Sequence, residues 1–275
     1  MKKEIVIIES LLTGKHSPET CEDGIVVTDS HVAVIDGSTS KALKQLQPGI
    51  RNGRLAMLTI SDVIRHLPPQ ATLADFCQVV TSRIHDLYTA QRLSDRRLSE
   101  HPEERVTASV GIYSLHHHEV WLIGDCQCIV EGQYHDNPKP EEDRIARKRA
   151  LLIQALLADG KTSVAQLRHH DVGRDAVVKD IVATCHTQNT AFAVVDGFEI
   201  ARSKVKIIKA SSSGDIILAT DGYPFLHDSL EESEAALSRQ LATDPLCINT
   251  YKATKGVMEG NLSFDDRAYV RFRAG

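Results

Sequence analysis

The sequence has no apolar run that approaches the ~20 residues needed for a transmembrane helix. Its N-terminus, Met-Lys-Lys-Glu-Ile-Val-Ile-Ile-Glu, is interrupted by charge too early for a signal peptide. The chain also lacks an excess of basic residues: the net charge is -5 and the pI is about 6.2, which argues against nucleic acid or a membrane surface as its main partner. These absences predict a soluble, cytoplasmic protein.

No linker rich in proline, glycine or serine divides the chain, and no low-complexity block interrupts it. With 275 residues, of which 42% are hydrophobic, the sequence is long enough for one large domain or two small ones. Because no linker is present, the sequence predicts one domain over residues 1–275.

The six cysteines do not show the spacing of a zinc ribbon. Cys126 and Cys128 lie one residue apart, which on a strand would point both thiols to the same face. A metal or redox pair is one interpretation, but small buried side chains in a reducing compartment are the favoured one. The histidines at 116–118 lie between two predicted strands and are interpreted as a hairpin turn.

An acidic hairpin is the most informative feature that the sequence does contain. Two short β-branched runs are separated by the turn-forming residues Asp29 and Ser30. The pair Glu22-Asp23 opens the first run, and Asp36 ends the second. An antiparallel hairpin places the start of one strand beside the end of the next, so these carboxylates should converge at one edge. Oxygen clusters of this kind bind hard divalent cations.

Two further acidic positions lie at predicted strand ends. The apolar run 216–220 is followed by Asp221, and Asp265 precedes the final predicted strand, 268–272. One carboxylate at the end of an apolar run is more often a turn residue than a ligand. Three of them, counting Asp36, favour a shared site.

The remaining patterns predict strands, two helices, more strands and two closing helices. The predicted strands span 5–8, 25–28, 32–35, 106–115, 119–123, 127–132, 190–195, 204–208, 215–220 and 268–272, with 11–20 as a loop and 106–132 as a meander; the main predicted helices span 52–67, 73–87, 141–157, 229–241 and 244–259. This order predicts an α+β fold, a four-layer α-β-β-α sandwich with two packed, mainly antiparallel sheets.

The ordered motifs resemble those of the type-2C, or PPM, family of metal-dependent serine/threonine protein phosphatases. In chain order they are Glu22-Asp23, Val34-Ile35-Asp36-Gly37, Gly124-Asp125-Cys126-Gln127, Ala219-Thr220-Asp221-Gly222 and Asp265-Asp266. Each motif alone is common, whereas the ordered set spans most of the chain. The resemblance implies a hydrolase that uses two or three Mg²⁺ or Mn²⁺ ions and acts on a phosphorylated protein or a small phosphoester.

The resemblance also implies roles for individual residues. The implied metal ligands are Asp23, Asp36, Gly37, Asp125, Asp221 and Asp265. Asp36 would bridge two ions and, together with Asp221, would carry catalysis. Asp125 would help to hold a third, weaker ion, although a simple turn role stays open for it. Glu22 and Asp266 would support the site, Glu22 mostly through metal-held waters.

Two positions depart from the family pattern. Many members continue Asp-Gly with His-Gly-Gly, whereas residues 38–40 here read Ser-Thr-Ser, so the histidine proposed to protonate the leaving group is missing. General-acid catalysis of this kind is worth about 10²- to 10⁴-fold. The phosphate-holding arginine expected just before Glu-Asp is missing as well, and Lys15 or His16 would have to replace it.

Three interpretations therefore stay open. The first is a metal-dependent serine/threonine protein phosphatase. The second is a catalytically weak relative that binds a phosphorylated partner or regulates another protein. The third is an unrelated layered α/β domain whose Asp-Gly turns coincide by chance. Retention of all the acidic positions favours the enzyme, because burying carboxylates without compensating cations is costly.

The missing histidine generates the first testable prediction. Ser38→His should raise the turnover of a phosphoserine peptide more than that of p-nitrophenyl phosphate, because a serine alkoxide needs a proton to leave and a phenolate does not. For the same reason the unmodified protein should prefer the aryl ester. Steady-state kinetics with both substrates test this, and equal rates on both in the unmodified protein would contradict it.

Overall fold

The computed structural model describes residues 4–39, 45–211 and 214–275. Its strands are β1 (Ile5–Thr13), β2 (Asp23–Val27), β3 (His31–Gly37), β4 (Ala108–Ser114), β5 (Glu119–Ile123), β6 (Gln127–Val130), β7 (Gln133–His135), β8 (Lys206–Lys209), β9 (Asp215–Ala219) and β10 (Arg267–Ala274). Its helices are α1 (Asn52–Arg65), α2 (Leu73–Ala90), α3 (Asp95–Glu100), α4 (Glu142–Ala158), α5 (Val164–His169), α6 (Val172–Cys185) and α7 (Leu230–Thr243).

The strands form two five-stranded antiparallel sheets. Sheet A has the order β1-β10-β9-β6-β7, and sheet B has the order β2-β3-β4-β5-β8. Ile60 of α1 packs on the outer face of sheet B, Val34 and Leu218 pack between the sheets, and Leu230 of α7 packs near Ile217 on the outer face of sheet A. The predicted α+β sandwich of two packed sheets between helical layers is confirmed. The single domain over residues 1–275 stays a prediction.

Local sequence signals explain two of the helices that cover the sheets. The Thr72 side chain accepts a hydrogen bond from the Asp75 backbone at 3.2 Å, and the Asp75 carboxylate accepts one from the Thr72 backbone at 2.8 Å. This capping box fixes the start of α2, as predicted. Ser229 caps α7 in a similar way through the backbone N–H of Glu232. No helix in the described part of the chain combines the length and apolar character that crossing a bilayer requires.

The hairpin predicted from the acidic stretch is present. β2 and β3 pair in a register that places Asp23 opposite Asp36. The start of α1 packs so closely behind this hairpin that a Cβ atom on Gly37 would overlap the carbonyl oxygen of Gly53. Glycine is therefore required at the residue that follows Asp36, and the acidic end of the hairpin is held against a helix.

Two strand predictions were wrong in extent or in partner. Residues 11–13, expected in a loop, continue β1 and pair with β10. The third strand of the predicted meander, β6, belongs to sheet A and pairs with β9 instead of β5. Gly124 makes this crossing possible, because its φ of +83° would strain other residues and a Cβ atom there would overlap the side chain of Ser109. Local patterning carries no signal for a change of sheet.

Residues 190–195 do not form the predicted strand. Within the described residues they make only isolated bridges, such as Ala108 with Val195. The side-chain amide of Asn189 takes the place of a strand neighbour, because it donates to the Val194 carbonyl at 3.0 Å and accepts from the Val194 N–H at 3.1 Å. Side-chain hydrogen bonds thus satisfy a backbone segment that the β-branched pattern assigned to a sheet.

Residues 244–259 do not form the predicted second closing helix. The buried guanidinium of Arg149 donates to the carbonyl oxygens of Leu246 at 2.9 Å and Ala253 at 3.0 Å, and it pairs with Asp171 at 2.6 Å. The Asp244 carboxylate accepts the backbone N–H of Ile248 at 2.9 Å. These bonds satisfy backbone groups that a helix would otherwise pair, so the segment folds as a loop around Arg149.

Removing this guanidinium should destabilise the protein strongly. Arg149→Met is expected to lower the free energy of unfolding by about 3 to 5 kcal/mol, because Asp171 would stay buried without its partner. Arg147→Met is the matched control, since Arg147 pairs with Asp143 at an exposed site of the same helix. It should cost at most about 1 kcal/mol. Urea unfolding measures both, and similar losses for the two variants would contradict the assignment.

Candidate metal centre

Three aspartates from distant parts of the sequence meet at one point between the sheets. Asp36 lies in β3, Asp125 lies in the turn between β5 and β6, and Asp221 follows β9. One carboxylate oxygen from each lies within 4.8 Å of the others. The crossing at Gly124 and the packing of β3 against β9 bring the three together. All three are among the ligands that the resemblance implied, and their role as ligands stays a prediction.

Asp23 lies beside this cluster and is almost completely buried. It faces Asp36 across the hairpin, and its Oδ2 atom accepts a hydrogen bond from the Thr220 hydroxyl at 2.6 Å. The same threonine oxygen accepts the backbone N–H of Ala268 at 2.9 Å, which ties Asp23 to the start of β10. Asp23 is thus held at the boundary between the two sheets.

Glu22 and Asp266 support the site from behind. The backbone N–H of Glu22 donates to Asp266 at 3.2 Å, and the Glu22 Oε2 atom accepts the Thr39 hydroxyl at 2.7 Å. The Glu22 Oε1 atom is buried and has no hydrogen-bond partner among the described residues. A buried carboxylate oxygen without a hydrogen-bond partner destabilises the folded state unless a cation or an ordered water contacts it.

Asp265 lies between two ammonium groups. Lys15 contacts its Oδ1 atom at 3.2 Å and also pairs with Asp266 at 3.0 Å, and Lys255 forms an ion pair with its Oδ2 atom. Burial pushes the pKa of Asp265 upward, but Lys255 and Lys15 outweigh burial and hold that pKa well below its usual range. The lysine predicted to hold phosphate therefore lies at the site, where it contacts a predicted metal ligand.

Sequence reasoning missed two lysines of this site. Lys139 pairs with Asp125 at 2.6 Å, and its charge, against the opposing effect of burial, lowers the pKa of that carboxyl. Lys255 comes from the loop that was predicted to be a helix. Neither lysine belongs to a recognisable motif, although Lys139 lies only 14 residues (139 − 125) from Asp125 in the sequence and Lys255 only 10 residues (265 − 255) from Asp265.

The carboxyl groups without a close cation have raised pKa values, unlike those of Asp125 and Asp265. Burial raises the pKa of Asp36 to about 7, and the charge of Asp125 adds to this effect. Burial and the charge of Asp36 raise the pKa of both Asp23 and Asp221 well above the usual value. Burial contributes most to these shifts, and like charges add to it, because each carboxylate makes ionisation of the next less favourable.

The donor set fits divalent cations. The cluster and its neighbours contain seven carboxyl groups, namely Glu22, Asp23, Asp36, Asp125, Asp221, Asp265 and Asp266, and three ammonium groups, namely Lys15, Lys139 and Lys255. Glu142, Arg174 and Lys252 also line the cleft, so when all these groups are ionised eight negative charges face five positive ones, and the surplus of three negative charges (8 − 5) favours binding of divalent cations. An all-oxygen set suits Mg²⁺ or Mn²⁺ rather than zinc or copper.

Some of these carboxylates line an open cleft with a volume of about 150 Å³. The charged residues that line this acidic cleft are Asp36, Glu142, Asp221, Asp265, Lys139, Lys252, Lys255 and Arg174. Gly37 and Ser38 also line the cleft. Among the residues that the structure describes, His16 does not line it. Ser40 lies outside the described part of the chain. A phosphate ester entering the cleft would meet the carboxylate cluster directly.

Comparisons with known proteins find no family model and no curated protein that matches the chain. Similar solved structures include the PPM Ser-Thr phosphatase MsPP from Mycobacterium smegmatis, with 14% identity, a TM-score of 0.47 and coverage of 98% of this chain and 100% of that one. PppA, a regulatory component of T6SS in Pseudomonas aeruginosa, has 12% identity and a TM-score of 0.47 over 100% and 99% of the two chains. The phosphatase PstP/Ppp of Mycobacterium tuberculosis has 12% identity and a TM-score of 0.45 over 99% of each chain. With scores below 0.5, residue roles in this chain rest on its own geometry.

The raised pKa of Asp36 predicts a stability effect. Its folded-state pKa of about 7 exceeds the usual 3.8, so the metal-free folded protein binds more protons than the unfolded chain between about pH 4 and 7 and loses stability as the pH rises. In chelator at pH 7.5, Asp36→Asn should therefore be more stable than the unmodified protein by about 2 to 4 kcal/mol. Mn²⁺ should stabilise the unmodified protein and not the variant.

Urea unfolding with chelator and with Mn²⁺ measures both effects. Asp159→Asn is the control, because that exposed carboxylate pairs with Lys161 outside the cleft. The control should respond to Mn²⁺ as the unmodified protein does. Lower stability of Asp36→Asn in chelator at pH 7.5 would show that Asp36 is not under electrostatic strain.

Proposed function

We propose that the protein is a Mg²⁺- or Mn²⁺-dependent phosphoester hydrolase, and that its substrates are phosphoserine or phosphothreonine residues of proteins. The observation that carries this proposal is the convergence of the Asp36, Asp125 and Asp221 oxygens within 4.8 Å, at an open cleft that Asp36 and Asp221 line. The separation of these residues in the sequence makes a chance cluster a poor explanation. The surplus of buried negative charge adds support.

Residues of the cleft would hold the ions in the following way. Asp36 and Asp221 supply carboxylates, and Gly37 supplies its carbonyl oxygen beside them. Asp265 would join them when the contacts with Lys15 and Lys255 loosen, and Asp125 would hold a further ion. When bound, two divalent cations supply positive charge to the phosphoryl oxygens and lower the pKa of a bound water molecule to near neutrality.

The chain itself orients these groups before any substrate arrives. The Thr220 hydroxyl fixes Asp23, the Thr39 hydroxyl fixes one oxygen of Glu22, and the backbone of Gly37 is held against α1. Preorganised charge of this kind requires little rearrangement during a reaction, which favours catalysis. No histidine is among the described residues that line the cleft, in line with a substrate preference for good leaving groups.

One observation favours a second candidate, a catalytically weak relative that binds phosphorylated proteins or regulates a partner. Lys15, Lys139 and Lys255 already neutralise Asp265, Asp266 and Asp125 without any metal. Such pairs make the carboxylates less available to cations. The uncompensated trio of Asp23, Asp36 and Asp221 keeps the enzyme as the better proposal.

We also propose that the chain acts as one domain in the cytoplasm. All six cysteines are buried and free, which suits a reducing compartment. The net charge of -5 offers no electrostatic basis for binding nucleic acid or an anionic membrane surface. A phosphorylated protein, or a small phosphoester, is the partner that fits the cleft.

Hydrolysis of p-nitrophenyl phosphate tests the proposal. Activity should appear with Mn²⁺ or Mg²⁺, disappear with chelator, and fall by at least about 10²-fold in Asp36→Asn and Asp221→Asn, because an amide brings no charge to hold a cation. Asp159→Asn should keep full activity. A phosphothreonine peptide tests the proposed substrate class in the same assay.

Two outcomes would change the conclusion. Activity that survives chelation would exclude a metal-dependent mechanism. Tight Mn²⁺ binding in calorimetry without hydrolysis of any ester would favour the second candidate, a catalytically weak relative that binds phosphorylated proteins or regulates a partner, over the enzyme.

A further inference from the structure

Five cationic side chains line the acidic cleft or contact its carboxylates, namely Lys15, Lys139, Arg174, Lys252 and Lys255. Lys15, Lys139 and Lys255 each form an ion pair with a carboxylate of the site. The ammonium group of Lys252 donates to the Asn249 carbonyl at 2.9 Å. Arg174 forms no ion pair with any residue in the described ranges, and of these five side chains it alone carries a guanidinium.

The contacts of Arg174 fix its position without neutralising it. Its Nη1 atom donates to the Thr254 carbonyl at 2.9 Å and to the Thr254 hydroxyl at 2.6 Å. Both acceptors are uncharged, and both bonds use one corner of the guanidinium. The Nε and Nη2 groups have no partner among the described residues. The planar fork that suits a two-point contact with an anion is therefore available.

Another candidate counter-ion, Asp171, is committed elsewhere. Asp171 caps α6 by accepting the backbone N–H of Arg174 at 2.8 Å, and its side chain pairs with the guanidinium of Arg149 at 2.6 Å. Burial lowers the pKa of Arg174, and the charge of Asp265 opposes this effect. Arg174 is thus close enough to Asp265 to interact with its charge but does not pair with it. A partly buried cation without a paired carboxylate favours an anionic ligand.

We propose that Arg174 binds the non-bridging oxygens of the substrate phosphate group in the acidic cleft. Arginine matches phosphate oxygens with two parallel hydrogen bonds, which a lysine cannot do. Arg174 would then supply the guanidinium that is absent from the interval before Glu22. The inference rests on the proposed action on phosphoesters. In this assignment Arg174, and not Lys15, binds the phosphate group, because the ammonium group of Lys15 is already paired with Asp265 and Asp266.

Binding of inorganic phosphate to the Mn²⁺-loaded protein tests this assignment directly. Arg174→Gln should weaken phosphate binding about 10- to 100-fold, both in calorimetry and in competitive inhibition, because the neutral amide can keep at most one of the two hydrogen bonds to the charged phosphate. Arg174→Lys should recover part of this loss. The affinity for Mn²⁺ should stay within about twofold in both variants, because Arg174 is not a predicted ligand.

Arg168→Gln is the matched control. Arg168 also anchors the 244–259 loop, through the Val257 carbonyl at 3.2 Å, but it does not line the cleft. It should leave phosphate affinity unchanged. An equal loss in Arg168→Gln would mean that Arg174 acts only by holding the loop, and unchanged phosphate affinity in Arg174→Gln would overturn the assignment. If Arg174→Gln does not fold, full phosphate affinity in Arg174→Lys would overturn it as well, because a lysine cannot form the two-point contact.

The experiment separates this inference from the proposed hydrolysis. Hydrolysis by the unmodified protein with no effect of Arg174→Gln on phosphate affinity would overturn the inference alone. Phosphate binding that depends on Arg174, without hydrolysis of any ester, would support the role of Arg174 and would contradict the proposed phosphoester hydrolase function.

Discussion

Electrostatic repulsion among buried carboxylates is the constraint on which the site depends. The hairpin register places Asp23 opposite Asp36, and the packing of the two sheets brings Asp125 and Asp221 beside them. Such an arrangement persists only if cations balance it or protons neutralise it. Burial, and after it the charge of Asp125, raise the pKa of Asp36 to about 7. Repulsion among these carboxylates would favour binding of divalent metal.

The sandwich supplies the negative charges, and the segments outside it supply the positive ones. Lys139 precedes α4, Arg174 lies in the first turn of α6, and Lys255 lies in the loop that Arg149 organises. The buried pair of Arg149 and Asp171 therefore has a functional consequence, because it holds the elements that carry the cations. Stability of this outer layer and electrostatics of the cleft depend on the same few contacts.

Elements defined by their own sequence were predicted well. The β2–β3 hairpin and helices α1, α2 and α7 follow from the sequence patterns, and Thr72 marked the start of α2. Two of the failures share one cause, which is that polar side chains satisfy backbone groups in place of regular secondary structure. Asn189 replaces a strand partner for residues 190–195, which it directly precedes, and Arg149 replaces helical hydrogen bonds in residues 244–259. The hydrophobic pattern of each segment contains no information about these bonds.

The sequence by itself determined which carboxylates stand at strand ends, because a charged residue that ends an apolar run marks the edge of a core. It thereby indicated Asp36, Asp221 and Asp265, and the order of motifs added Asp23 and Asp125. Only the tertiary structure decided which cations meet them and which remain without a counter-ion. Lys15 and Asp265 lie 250 residues apart in sequence, and no local signal specifies their contact. Lys139 and Lys255 are nearer in sequence to their partners, but they come from loops without a recognisable motif, so the path of each loop in the fold decides those contacts.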